Sequence, residues 1–143
     1  GLVCISAAAS FQIDPTFINL FRLSQTQKQN LEILNHYFSP KYGKTQWYPN
    51  LLKSLPTVRN SLWYADLRAT AHFDLREQLS QIFSPTLVLS GEEDPLVPIS
   101  HATHLARQLP NARFKGFPQH GHLLMLEDPK GVANEIREFY SHL

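Results

Sequence analysis

The segment from Pro85 to Asp128 constrains the fold of this chain more than any other part of the sequence. It begins with an apolar run, Thr86–Leu89, bounded by a proline and a glycine, which is typical of a short buried strand. Arg113–Phe117 is predicted as a second strand. Between them the sequence predicts a helix with Ser100 as its N-cap, ended by Pro110 and Asn111. Its apolar residues fall at positions i, i+3, i+4 and i+7: Ala102, Leu105, Ala106 and Leu109.

A strand, a helix and a strand within this length predict a βαβ unit, in which the strands are parallel and the crossover is right-handed. Asp94 follows the first strand, and His122 follows the second. Parallel sheets place functional groups beyond the carboxyl ends of their strands. We therefore expect Asp94 and His122 to be neighbours in space, despite their separation in sequence.

Two stretches of this segment resemble the α/β-hydrolase family. PTLVLSGEEDPLVP, which starts at Pro85, is similar to the family's seventh strand and the loop that carries the catalytic acid. HGHLLMLEDP, which starts at His120, is similar to the loop after the eighth strand, where the catalytic histidine follows a glycine. The order of acid and histidine also matches the family. The resemblance implies an α/β fold, the C-terminal part of an α/β-hydrolase, with three parallel strands, flanking helices and an inserted α-helical cap.

The resemblance also implies roles for the two residues, with His122 as the base and Asp94 as the acid that orients it. Glu92 and Glu93 are competing acids on the same loop, but the family pattern selects the fourth position of GEED. His120 is the competing histidine, and the glycine directly before His122 decides between them. Two alternatives involve no catalysis: Asp94 could cap a turn before the next proline, and His122 could be a surface-loop histidine.

The chain divides into three predicted parts. Residues 1–13 hold the first visible core strand, Leu2–Ser6; residues 14–76 form the helical cap or lid; and residues 77–143 form the C-terminal core. Helical spacing in the middle part predicts four helices: Thr16–Leu23, Thr26–Phe38, Leu51–Leu55 and Val58–Leu67. A helical insertion at this place is where the family carries its cap, which would cover the active site and select the substrate. The alternative is a helical subdomain with no role in substrate binding.

A last helix is predicted after the histidine loop. Asp128 is its expected N-cap and Pro129 its first helical residue. The expected buried face consists of Val132, Ile136, Phe139 and Leu143.

The sequence lacks the Gly-x-Ser-x-Gly pattern that presents the nucleophile in this family. It opens at Gly1 and runs directly into an apolar stretch. We therefore expect the C-terminal part of a longer protein, inactive by itself because the nucleophile is absent. Cys4 lies in the apolar stretch and is expected to be a small core residue rather than a nucleophile.

The resemblance implies a reaction class, the hydrolysis of a carboxylic ester, thioester or lactone through an acyl-enzyme, with a small-molecule substrate and no cofactor. Two alternatives remain. The chain could be a non-catalytic binding module that has lost its nucleophile. It could also hold a metal ion with a cluster drawn from His101, His104, His120, His122 and Asp94, although this spacing matches no closed metal motif.

Charge and hydropathy exclude some classes of function. The net charge of +1 argues against a dedicated nucleic-acid-binding protein, and no apolar run approaches the length of a membrane span. We expect a cytoplasmic protein. Residues 14–76 carry eight Lys and Arg against four Asp and Glu, whereas the later residues carry five against eight. A basic cap could attract an anionic substrate or an acidic carrier protein. The alternative is that these charges are solvated helix faces with no partner.

Overall fold

The computed structural model describes residues 1–11, 13–23 and 60–143 of the chain. Three parallel strands form its sheet: β1 (Leu2–Ile5), β2 (Thr86–Gly91) and β3 (Ala112–Phe117), in the order β1-β2-β3. In the register of the sheet, Thr86 lies opposite both Leu2 and Ala112. The predicted fold class and the predicted parallel pairing are confirmed.

Helices connect and cover these strands. The described helices are α1 (Pro15–Leu23), α2 (Asn60–Ala71), α3 (Ile99–Gln108), α4 (Leu124–Glu127) and α5 (Pro129–Ser141), and a 3-10 turn spans Leu79–Gln81. The predicted helices Thr26–Phe38 and Leu51–Leu55 lie outside the described residues. The helix predicted at Val58–Leu67 is described from Asn60 onward and continues to Ala71.

β2 is buried along its whole length because it has a strand on each side and helices over both faces. Its side chains alternate between two apolar clusters. Val88 points into a cluster that includes residues of α3. Leu87 and Leu89 point into the other cluster, which includes residues of β3, α4 and α5. The loop that carries Asp94 is therefore anchored at its start by a fully buried strand.

The prediction of Ser100 as the N-cap of α3 is wrong. The helix begins at Ile99, directly after Pro98, whose backbone is extended with ψ 140°. Ser100 therefore lies inside the first turn, where its backbone carbonyl accepts the hydroxyl hydrogen of Thr103 at 3.0 Å. Pro98 occupies the N-cap position of α3, and no side chain makes a capping hydrogen bond there.

The prediction for α5 is correct at its start and wrong at its end. Asp128 is the N-cap, Pro129 begins the helix, and Asp128 Oδ1 accepts the Gly131 N–H at 2.9 Å. Val132 and Phe139 are buried, as expected. Leu143 is not part of the buried face: the helix ends at Ser141, and Leu143 is 59% exposed.

The connection from β1 to β2 contains α1 and α2, which pack against each other. Asp14 directly precedes α1, and its Oδ1 accepts the Thr16 N–H in the first turn at 2.7 Å. Near the sheet, the Leu75 N–H donates to the Ala9 carbonyl at 2.8 Å, so the two ends of this connection lie together. The division into a cap and a core remains a prediction. Among the described residues, no helix has both the length and the apolar character needed to cross a bilayer.

Candidate active site

Asp94 lies three residues beyond β2 in a loop held by backbone hydrogen bonds. Its side chain is 0% exposed. Oδ1 accepts two N–H groups, from Leu96 at 2.8 Å and from Val97 at 2.9 Å. These bonds fix the carboxylate in one orientation and offset the cost of burying it. Asp94 therefore does cap a turn, as the alternative interpretation proposed, but with one oxygen only.

The other oxygen of Asp94 faces His122. His122 Nδ1 lies 2.9 Å from Asp94 Oδ2, and the imidazole is 25% exposed. Because a carboxylate only accepts hydrogen bonds, this contact places the hydrogen of a neutral imidazole on Nδ1 and leaves the lone pair on Nε2. That tautomer can take a proton at Nε2. The structure thus brings together the acid and the histidine selected from the sequence.

The competing residues occupy different surroundings. Glu92 and Glu93 are exposed, and the Glu93 N–H donates to the His120 carbonyl at 2.9 Å. His120 Nδ1 lies 2.6 Å from the Pro118 carbonyl, and its ring packs edge-on against Phe117 with centroids 5.9 Å apart. By contrast, the Asp94 carboxylate lies 2.9 Å from His122 Nδ1.

The histidine loop lies directly on the end of β2. A Cβ atom at Gly91 would collide with the carbonyl oxygens of His120 and Gly121. Only glycine permits this close approach of two backbones. The approach keeps the acid loop and the histidine loop at a fixed separation.

Two side chains that hold this loop were not predicted from the sequence. Glu127 is buried, and its Oε2 accepts the Gly121 N–H at 2.9 Å. Ser6, also buried, donates from Oγ to the His122 carbonyl at 2.7 Å. A signal existed for Ser6, because it follows β1 at the same edge of the sheet as the acid and the histidine. Glu127 directly precedes the predicted N-cap Asp128, and the sequence predicts no separate role for it.

Two other groups of candidate residues show no comparable arrangement. His101 and His104 are exposed on α3. Within the described ranges, no three or more His, Cys, Asp and Glu side chains are grouped closely enough to hold a metal ion. Cys4 packs at the margin of the core, and burial raises the pKa of its thiol. A raised pKa reduces the thiolate fraction at neutral pH, which disfavours Cys4 as a nucleophile.

A comparison with known families supports the same fold. The sequence profile of a family described as the alpha/beta hydrolase fold matches residues 4–129. The chain belongs to the α/β-hydrolase family. The α/β-hydrolase family predicted from the two motif stretches is confirmed.

Individual members of the family match parts of the chain. A pimeloyl-(acyl-carrier protein) methyl ester esterase of Vibrio atlanticus is 37% identical over 89 residues, which cover 62% of this chain and 34% of the esterase. AB hydrolase superfamily protein YisY of Bacillus subtilis is 29% identical over 127 residues, which cover 85% of this chain and 45% of that protein.

Among solved structures, an enol-lactonase from Burkholderia xenovorans superposes with a TM-score of 0.86 at 17% identity. The superposition covers 97% of this chain and 55% of the lactonase, so it shows the shared fold. The chain spans less than half the length of the curated relatives it matches and about half of the solved structures.

Proposed function

We propose that the whole protein hydrolyses a carboxylic ester, a thioester or a lactone, with His122 as the general base and Asp94 as the acid that orients it. The observation that carries this proposal is the 2.9 Å contact between His122 Nδ1 and a buried carboxylate whose other oxygen is held by two N–H groups. In this proposal a serine nucleophile and the oxyanion donors come from a part of the protein outside these 143 residues.

In the proposed reaction, His122 transfers protons and Asp94 orients it. The serine hydroxyl would lose its proton to Nε2 while its oxygen attacks the carbonyl carbon. The imidazolium formed in this step is stabilised by Asp94 through Nδ1–H. Nε2 then returns the proton to the departing alcohol or thiol, which leaves an acyl-enzyme. A water molecule, activated by the same nitrogen, hydrolyses the acyl-enzyme and restores the serine.

The names of related proteins support the substrate class. One of them is named a methyl ester esterase, and a methyl ester is a carboxylic ester. The residues 14–76 would act as a cap over the substrate. Their excess of Lys and Arg, together with an esterase relative named for acyl-carrier protein, supports an acidic carrier protein as one bearer of the acyl group.

Histidine substitutions in the whole protein test the proposal. We expect His122→Ala to lower kcat on a short p-nitrophenyl ester by at least about four orders of magnitude, because the nucleophile loses its base. Its thermal unfolding midpoint should stay close to that of the wild type. His120→Ala is the matched control and should retain most turnover. Full activity of His122→Ala, or loss of activity in His120→Ala alone, would overturn the assignment.

A further inference from the structure

The backbone around His122 is held from two sides by buried side chains. On one side, Glu127 Oε2 accepts the Gly121 N–H at 2.9 Å. On the other side, Ser6 Oγ donates to the His122 carbonyl at 2.7 Å. These bonds come from different elements, since Ser6 follows β1 and Glu127 ends α4.

The two hydrogen bonds, to the Gly121 N–H and to the His122 carbonyl, constrain the backbone torsions between these two groups. Between the nitrogen of Gly121 and the carbonyl oxygen of His122, the backbone can rotate only about the φ and ψ torsions of these two residues. Those torsions set the direction of the Cα–Cβ bond of His122. Fixing both ends therefore aims the imidazole, and the bond from Nδ1 to Asp94 then sets its rotation about the side-chain torsions.

Both anchoring residues are themselves held by regular structure. The Ser6 N–H donates to the Leu89 carbonyl at 2.8 Å, which extends the pairing of β1 with β2. Ser6 has φ 50°, a left-handed conformation that is uncommon for a residue other than glycine. The Glu127 N–H donates to the Leu123 carbonyl at 3.1 Å, and the next residue caps α5. Neither anchor is a loose surface side chain.

We propose that Ser6 and Glu127 are positioning residues that aim the His122 imidazole at the nucleophile, a role that rests on the proposed function of His122 as general base. Neither residue contacts the substrate in this proposal. Their contribution therefore belongs to the chemical step and not to substrate binding.

Single substitutions in the whole protein give the first test. We expect Ser6→Ala and Glu127→Ala each to lower kcat on a p-nitrophenyl ester by about ten- to a hundredfold, because a small misplacement of a catalytic group is costly. KM should change by less than about twofold. Glu127→Gln keeps an oxygen that can accept the Gly121 N–H, and it should recover kcat to within about fivefold of the wild type. Ser80→Ala and Glu77→Ala, at exposed positions outside this loop, are the matched controls.

A double-substitution experiment separates positioning from a general effect on folding. If Glu127 acts through His122, adding Glu127→Ala to His122→Ala should cause no further loss of the residual turnover. The same holds for Ser6→Ala in the His122→Ala background. A merely structural residue would lower activity by a similar factor in both backgrounds. Should Glu127→Ala fail to fold, Ser6→Ala and its double variant decide the question.

The outcomes distinguish this proposal from the one it rests on. If His122→Ala and Asp94→Asn keep wild-type turnover, the proposed function fails. If both are inactive while Ser6→Ala or Glu127→Ala keeps the wild-type kcat, the function stands and the positioning role is overturned. A KM increase with unchanged kcat would also overturn it.

Discussion

At the scale of single residues, the carboxylate of Asp94 serves two sets of partners. Oδ1 accepts the N–H groups of Leu96 and Val97, and Oδ2 faces His122 Nδ1. The two N–H bonds to Oδ1 fix the orientation of the carboxylate, and this orientation directs Oδ2 toward His122. The same carboxylate therefore caps a turn and, in the proposed reaction, orients the histidine. The proposed chemical role of Asp94 depends on its structural role.

Asp94→Asn in the whole protein tests this double role. The amide oxygen can replace Oδ1 toward the two N–H groups, so the loop should stay folded. The NH₂ group would then face His122 Nδ1 as a donor, which forces the imidazole hydrogen onto Nε2 and removes the lone pair that accepts the serine proton. We expect kcat to fall by about four orders of magnitude, as in the comparable substitution in serine proteases.

Glu92→Gln and Glu93→Gln are the control variants and should retain most activity in steady-state kinetics. If one of them is inactive while Asp94→Asn is active, the acid must be reassigned.

The sequence allowed the prediction of Asp94 and His122 because both stand in motif stretches at the ends of strands. Ser6 and Glu127 were missed for a physical reason: their partners are backbone atoms, which every residue has, and one partner is 116 positions away. From the sequence, Gly91 predicts only the end of a strand. Position 91 requires glycine because the loop with His120 and Gly121 lies against it. No local sequence pattern shows where that loop lies.

At the scale of elements, the start of α5 was predictable because its signal is local. Asp128, Pro129 and Gly131 are neighbours in sequence, and a Cβ at Gly131 would collide with the capping carboxylate. The end of the same helix was predicted wrongly, because the 3.6-residue period continues past the last hydrogen-bonded turn. Likewise, Ser100 resembles an N-cap, but Pro98 sets an earlier start for α3.

Removing the cap of α5 should lower the stability of the protein. In Asp128→Ala the Gly131 N–H loses its acceptor, and we expect the free energy of unfolding to fall by about 1 kcal/mol. Chemical denaturation of the whole protein measures this change. Asp66→Ala, at an exposed position of α2, should have a much smaller effect. Equal stability of Asp128→Ala and the wild type would show that the bond contributes nothing.

At the scale of the whole molecule, the sheet gathers the site from three distant parts of the chain. Ser6, Asp94 and His122 follow β1, β2 and β3 in turn, so parallel pairing brings them to one edge. The sequence predicted this meeting for Asp94 and His122, from the parallel strands of a βαβ unit, but it did not predict Ser6. Residues 24–59, which belong to the predicted cap, lie outside the described residues, and both the cap and its role stay predictions.

The 143 residues by themselves should not hydrolyse esters. Their sequence contains no Gly-x-Ser-x-Gly, so the base would have only water to activate. We expect no turnover of a p-nitrophenyl ester above the buffer rate, whereas the whole protein should be active and sensitive to a serine-directed phosphonate. Phosphonate-sensitive turnover by the isolated chain would contradict the proposal that the nucleophile lies elsewhere.

The bond between Ser6 and the His122 carbonyl joins two residues that are synthesised at different times. A ribosome adds about 5–20 residues per second, and these two positions are 116 residues apart. Ser6 is therefore made roughly ten seconds before its partner exists. For most of that interval β2 is also missing, so the backbone groups of β1 that bond to β2 do not yet have that partner. Until β2 is made, the edge of β1 that pairs with it stays unpaired, and an unpaired strand edge favours aggregation.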